Sequence, residues 1–274
     1  MGRSVIPTQK LGEHSIPQVG FGLWQVKDQA QLNKSVSAAL AAGYRHFDTA
    51  QIYGNEAMLG TALRKSDVPR SELFITTKIS VQNFLKSTVA KSFDTSLANL
   101  QTDYVDLLLL HFPVTFLRKG AWGVLESILD DGKARAIGVS NYTIKHLEQM
   151  KEYANVTPAI NQVELHVYLQ QPELLSYCAQ EGIVVEAYSP LAHGKGLDDT
   201  TLVGLATKYH KTPAQIMLRW CLQVGTIPLP KSVTPERIAQ NIDIFDFKLS
   251  TTDMTLLASL DKNMRTCWNP SRVP

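Results

Sequence analysis

Eight short apolar runs recur along this chain, and helix-like sequence fills the gaps between them. The runs are QVGFG (18–22), YRHFD (44–48), ELFITTK (72–78), VDLLLLH (105–111), ARAIGVSN (134–141), AINQVE (159–164), IVVEAYSP (183–190) and TIPLPKS (226–232). Strands that alternate with helices form parallel sheets, and eight such units close into a barrel. VDLLLLH is almost continuously apolar, as a parallel strand buried on both faces must be. The gaps carry helix punctuation. Gly43 stands where QAQLNKSVSAALAAG should stop, and Gly132 where AWGVLESILDDG should stop. Val89, Phe93 and Leu97 recur every four residues, and Asn55 is placed to cap NEAMLGTALRK. Around LGEHS, residues 4–18 read as a hairpin. The expected fold is therefore α/β, a (β/α)₈ TIM barrel with an N-terminal β-hairpin. A doubly wound sheet would need a glycine-rich turn after its first strand, and GFG at 20–22 is too short for one. No Pro- or Ser-rich linker breaks the composition, so one domain is expected over 1–274.

In a barrel of this kind the working face lies at the C-terminal strand ends. Those ends carry Asp48 with Tyr53 in the following loop, Lys78, His111, Ser140 and Asn141, Gln162, Tyr188 and Ser189, and Lys231 and Ser232. Each alone has an ordinary reading as a cap, a solvated strand end or a core partner. Together they fall on one rim. Neighbouring strands bring Asp48, Tyr53, Lys78 and His111 within reach of one another. A phenol of pKa ~10 is a weak acid at neutral pH. An ammonium beside it favours the phenolate and lowers that value. A carboxylate holds the ammonium charged, and a histidine hydrogen-bonds a carbonyl oxygen. At the last strand, Thr234 is placed as an N-cap and Pro235 as the first helical residue. A helix start binds anions, and Lys231, Ser232 and Arg237 around it suit a phosphate monoester.

Composition excludes other classes. Net charge is +2 with no basic block, which argues against nucleic acid. Cys178, Cys221 and Cys267 lie far apart and form no metal or disulfide spacing, so no metal is expected and a reducing cytoplasm is the natural location. The first residues lack an apolar signal core, and no run approaches the ~18–20 residues of a membrane span.

The segments GYRHFDTAQIYGNE (43–56), ITTK (75–78), LLLLHFP (107–113), AIGVSN (136–141), NQVELH (161–166) and PKSVTPERIAQN (230–241) occur in one order. With them the chain resembles the aldo-keto reductase family along nearly its whole length, most of all its bacterial 2,5-diketogluconate and methylglyoxal reductase branch. The resemblance implies an NADPH-dependent carbonyl reductase, acting as a monomer on small aldehydes, α-dicarbonyls or keto-sugar acids. It implies a catalytic set of Asp48, Tyr53, Lys78 and His111. Ser140, Asn141 and Gln162 would hold the nicotinamide carboxamide, and Tyr188 would stack on its ring. Ser189 and Leu191 would meet the pyrophosphate. Lys231, Ser232, Val233, Thr234 and Arg237 would take the 2′-phosphate, and Gln240 and Asn241 the adenine. Gly22, Leu23 and Trp24 would border cofactor and substrate, with Phe112 also lining the substrate pocket. The chain departs from the family pattern at Phe112 and Ser80, where relatives carry Trp, at Gln240, where they carry Glu, and in a short tail after Asp261. Two rivals use the same residues: a cofactor-binding regulatory protein on the same barrel, and an aldolase with Lys78 as Schiff-base lysine.

Overall fold

A computed structural model describes residues 6–274. A hairpin of β1 (Thr8–Leu11) and β2 (His14–Pro17) comes first; residues 4 and 5 of the expected hairpin lie outside the described residues. Then follow β3 (Phe21–Gly22), α1 (Gln29–Ala42), β4 (His46–Asp48), α2 (Glu56–Arg64), β5 (Phe74–Ile79), α3 (Lys86–Leu100), β6 (Leu107–Leu110) and α4 (Arg118–Asp130). The second half holds β7 (Ile137–Ser140), α5 (Ile144–Met150), β8 (Ile160–Glu164), α6 (Pro172–Gln180) and β9 (Val184–Tyr188). It ends with α7 (Thr200–Tyr209), α8 (Pro213–Gln223), β10 (Thr226–Leu229), α9 (Pro235–Ile242) and α10 (Thr251–Ala258).

Strands β3 to β10 pair in parallel, each with the next in sequence. The ring is closed by backbone hydrogen bonds from Gly20 N to Pro228 O and from Gly22 N to Pro230 O, both 3.0 Å. Gly20 is needed there because a Cβ would stand 2.5 Å from Leu229 Cδ2 and 2.6 Å from His46 Nδ1. The bottom of the barrel is plugged. Leu11 and Ile16 of the hairpin pack with Phe74, Leu107, Ile160 and Ile227 from the starts of the strands. Outside, the helices bury one stripe each against the strands. In α1 that stripe is Leu32, Val36, Ala39 and Leu40, at helical spacing. Asp28 caps this helix by accepting from Gln31 N at 2.7 Å, and Gly43 ends it at φ 107°.

Two expected caps differ. Asn55 precedes α2, but its side chain makes no cap bond. It donates instead to Leu23 O and Val26 O and accepts from Thr49 Oγ1, tying the β3 loop to the β4 loop. Thr234 precedes α9 and also makes no side-chain cap bond, although Pro235 does open the helix. Among the described residues no helix is long and apolar enough to cross a membrane.

Candidate active site

The strand register sets the site. Alternation along a strand turns every second side chain inward. On β4 these are His46 and Asp48, on β5 Thr76 and Lys78, on β8 Gln162 and Glu164, and on β9 Glu186 and Tyr188. Lys78 is fully buried. Its ammonium donates to both Asp48 oxygens, at 2.7 and 2.8 Å, and to Thr49 O at 2.9 Å. Tyr53 Oη lies 3.4 Å from the same nitrogen. The Tyr53 and His111 rings meet edge to face with centroids 5.7 Å apart. The four residues singled out for proton chemistry therefore converge.

Their electrostatics differ in one respect from the sequence expectation. Burial pulls the Lys78 ammonium down, but the Asp48 carboxylate and Tyr53 outweigh it and hold Lys78 above the usual lysine value. For Tyr53 the expected lowering does not prevail. Loss of water at the cleft floor raises the phenol, Lys78 offsets part of this, and the net shift is upward. His111 is pushed down to about 3, by burial first and by Lys78 second, so its ring is neutral. A Lys78 held as an ammonium by two carboxylate oxygens is a poor Schiff-base nucleophile, which argues against the aldolase alternative.

A cleft of about 960 Å³ opens above this set. Its wall includes Gly22, Trp24, Asp48, Tyr53, His111, Ser140, Asn141, Gln162, Tyr188, Ser189 and Leu191. It continues past Lys231 and Ser232 to Arg237, Gln240 and Asn241 on α9. Of the residues named from sequence, Leu23 and Lys78 are buried behind the wall. Val233 and Phe112 are half-buried, Thr234 is exposed, and none of these three is on the wall. Phe112 packs edge to face on Trp268, centroids 5.9 Å apart.

Some expected ligand groups are engaged within the protein. Ser140 Oγ donates to Gln162 O at 2.9 Å. Asn141 Nδ2 donates to His111 O and Ser140 Oγ, each at 3.1 Å, and its Oδ1 accepts from Tyr188 Oη at 2.7 Å. Asn141 sits at φ 66°, a left-handed conformation that Asn tolerates better than most residues.

Sequence reasoning passed over two groups. One is the C-terminal segment Thr266, Cys267 and Trp268, which lines the cleft. It is fastened by Glu164, which accepts from Thr266 N and Oγ1 at 2.6 Å and from Cys267 N at 3.2 Å. The other is His46 and Glu186, on the same inward faces as Asp48 and Gln162; the two-residue alternation was the signal for them.

The donor set fits a phosphorylated dinucleotide. The first turn of α9 has no side-chain cap, and Lys231, Ser232 and Arg237 surround it. The cleft is at the upper end of the range for small-molecule and cofactor sites.

A model of the aldo/keto reductase family matches residues 18–262. The glyoxal reductase of Bacillus subtilis (strain 168) is 44% identical over 258 residues, 94% of each chain. A crystal structure of an aldo/keto reductase from Brucella melitensis has a TM-score of 0.90 and 44% identity, covering 94% of this chain and 100% of that one. The Bombyx mori aldo-keto reductase in complex with NADP has a TM-score of 0.91 and 33% identity, covering 95% of this chain and 94% of that one.

Proposed function

The chain belongs to the aldo/keto reductase family and is an NAD(P)H-dependent oxidoreductase of carbonyl compounds, and on that footing we propose that it uses NADPH to reduce small aldehydes, α-dicarbonyls and keto-sugar acids, with Tyr53 as general acid. One observation carries this reading: the Tyr53 phenol stands beside an ammonium that Asp48 grips with both oxygens, across from a neutral histidine. When bound, the reduced nicotinamide supplies the hydride. The chain's residues do the rest. His111, with its proton on the cleft side, donates to the carbonyl oxygen and fixes its position. Tyr53 gives its proton to the oxygen as negative charge develops there. The phenol is held protonated in the free protein, so the acid is loaded before the carbonyl arrives. Lys78 stabilises the phenolate left behind, and Asp48 keeps Lys78 charged.

Cofactor roles follow the cleft. Gln162, braced by Ser140 and Asn141, would hold the carboxamide, and Tyr188 would stack on the ring. Ser189 and Leu191 would meet the pyrophosphate. Lys231, Ser232 and Arg237 would take the 2′-phosphate, and Gln240 and Asn241 the adenine. Trp24 would border the substrate, with Phe112 backing Trp268 on the cleft wall. Similarity to a protein named glyoxal reductase supports α-dicarbonyls within this substrate range. We place this activity in one barrel domain over 1–274, acting as a cytoplasmic monomer without nucleic-acid or membrane partners. The test is NADPH consumption with a panel of aldehydes, α-dicarbonyls and keto-sugar acids, and NADH in parallel. Turnover of α-dicarbonyls with a preference for NADPH is expected. Tight NADPH binding with no turnover of any carbonyl would favour the regulatory-protein alternative.

A further inference from the structure

Glu186 is fully buried in the barrel below the proposed catalytic set, and the chemistry above gives it no part. It lies beside Gln162 in the β8–β9 register. The Gln162 amide nitrogen donates to two carboxyl groups at once, Asp48 Oδ2 and Glu186 Oε2, each at 2.8 Å. With both N–H bonds committed to carboxyl groups, the Gln162 oxygen is left for the cleft that Gln162 lines. The other Glu186 oxygen, Oε1, has no hydrogen-bond partner among the described residues and lies 3.6 Å from His46 Nε2.

We propose that Glu186 is a positioning residue that, as a neutral carboxylic acid, orients the Gln162 amide and leaves Asp48 and Lys78 the sole charge pair beneath Tyr53, and that its ionisation weakens the acid. This rests on Tyr53 being the proton donor.

The surroundings of Glu186 support a neutral form. From β4 it faces Asp48 and His46, from β5 Lys78, and from β8 Gln162; on the β10 side its neighbour is Ile227, which carries no charge. His46 is itself held neutral, pushed down to about 3 by burial first and by Lys78 second. Burial, and then the Asp48 carboxylate, push the Glu186 carboxyl up to about 8, against opposing pulls from Gln162 and Lys78. Below that pH the Asp48–Lys78–Glu186 cluster holds one ammonium and one carboxylate. Above it, two carboxylates face one ammonium. The added negative charge tightens Lys78's hold on its proton. It also opposes loss of the proton from Tyr53, because a second anion nearby disfavours phenolate.

The test uses wild type and Glu186→Gln, which fixes the neutral form. Turnover of a carbonyl substrate is measured against pH, each protein normalised to its own value on the acid side. Wild-type kcat should fall as pH rises through about 8, and Glu186→Gln should lose this step. A second readout needs no cofactor. A carboxyl whose proton is held in the folded state up to about 8 stabilises the fold at low pH. That stability is full below the ordinary glutamate value of ~4.3 and is lost as pH climbs to the folded value. The wild-type melting temperature should therefore decline across that window more steeply than that of Glu186→Gln. Should the variant not fold, the infrared band of a protonated carboxylic acid in wild type labelled at glutamate carboxyls should vanish near the same pH. An unchanged pH–rate limb, an equal melting slope, or a band absent at neutral pH each overturns the proposal. Failure of the Tyr53 reading is separate: it would show as retained turnover in Tyr53→Phe, with the melting slopes still differing.

Discussion

The Asp48–Lys78 pair is the residue-scale centre of the account. A lysine with no exposure to water persists because both carboxylate oxygens and a backbone carbonyl surround its ammonium. Removing one partner of such a pair leaves the other buried and unpaired, which costs ~3–5 kcal/mol. Lys78→Met should therefore lower the unfolding free energy read from urea titration by that order and also lose most turnover. Lost turnover at full stability would mean the pair is catalytic but not structural. His111 supports a pH prediction of its own. Burial and Lys78 hold its ring at about 3, so it stays neutral throughout the ordinary histidine range. Between about pH 5 and 8, where an unperturbed histidine titrates, kcat should show no acid-side step from His111. A step near pH 6.5 that disappears in His111→Gln would contradict this.

At the scale of elements, the turn from β10 into α9 is where cofactor choice is argued. An uncapped helix start with Lys231, Ser232 and Arg237 around it favours a dianionic group. Arg237→Ala should weaken NADPH binding about tenfold, or ~1.4 kcal/mol, while NADH changes little. Equal weakening of both cofactors, read by fluorescence titration, would move the 2′-phosphate away from this helix. The C-terminal segment belongs to the same scale. Thr266 to Trp268 reach the cleft because Glu164, at the end of β8, grips the backbone of Thr266 and Cys267. The ends of the chain's second half also return to its first, with Arg118 Nη1 donating to Pro274 O at 2.9 Å.

For the whole molecule, closure of the barrel is the decisive step, and it depends on close approach at Gly20. Gly20→Val would press a side chain into His46 and Leu229 and should cost ~1–3 kcal/mol as overpacking, seen as a lower melting temperature. An unchanged melting temperature would mean that the β3–β10 seam yields without cost. Much of this architecture was legible in the sequence, because apolar runs, Gly43 and the Val89–Phe93–Leu97 spacing report local rules that tertiary structure preserved. The convergence of Asp48, Tyr53, Lys78 and His111 was legible for a related reason: neighbouring parallel strands deliver their C-terminal ends to one rim. Other features were not. The side chains of Asn55 and Thr234 carry cap chemistry, but competing partners and geometry, absent from local sequence, decide whether it is used. The direction of the Tyr53 shift depended on how much water the folded cleft removes, which no spacing records. Glu164 meets Thr266 across a hundred residues of chain, so only the fold unites them.

The most direct test of the central claim compares wild type with Tyr53→Phe, measuring NADPH-dependent carbonyl turnover and, separately, NADPH affinity. Loss of a general acid costs ~10²–10⁴-fold in rate. The account predicts a loss of that order in kcat with NADPH affinity preserved. Turnover close to wild type in Tyr53→Phe would contradict it and pass the proton to another group.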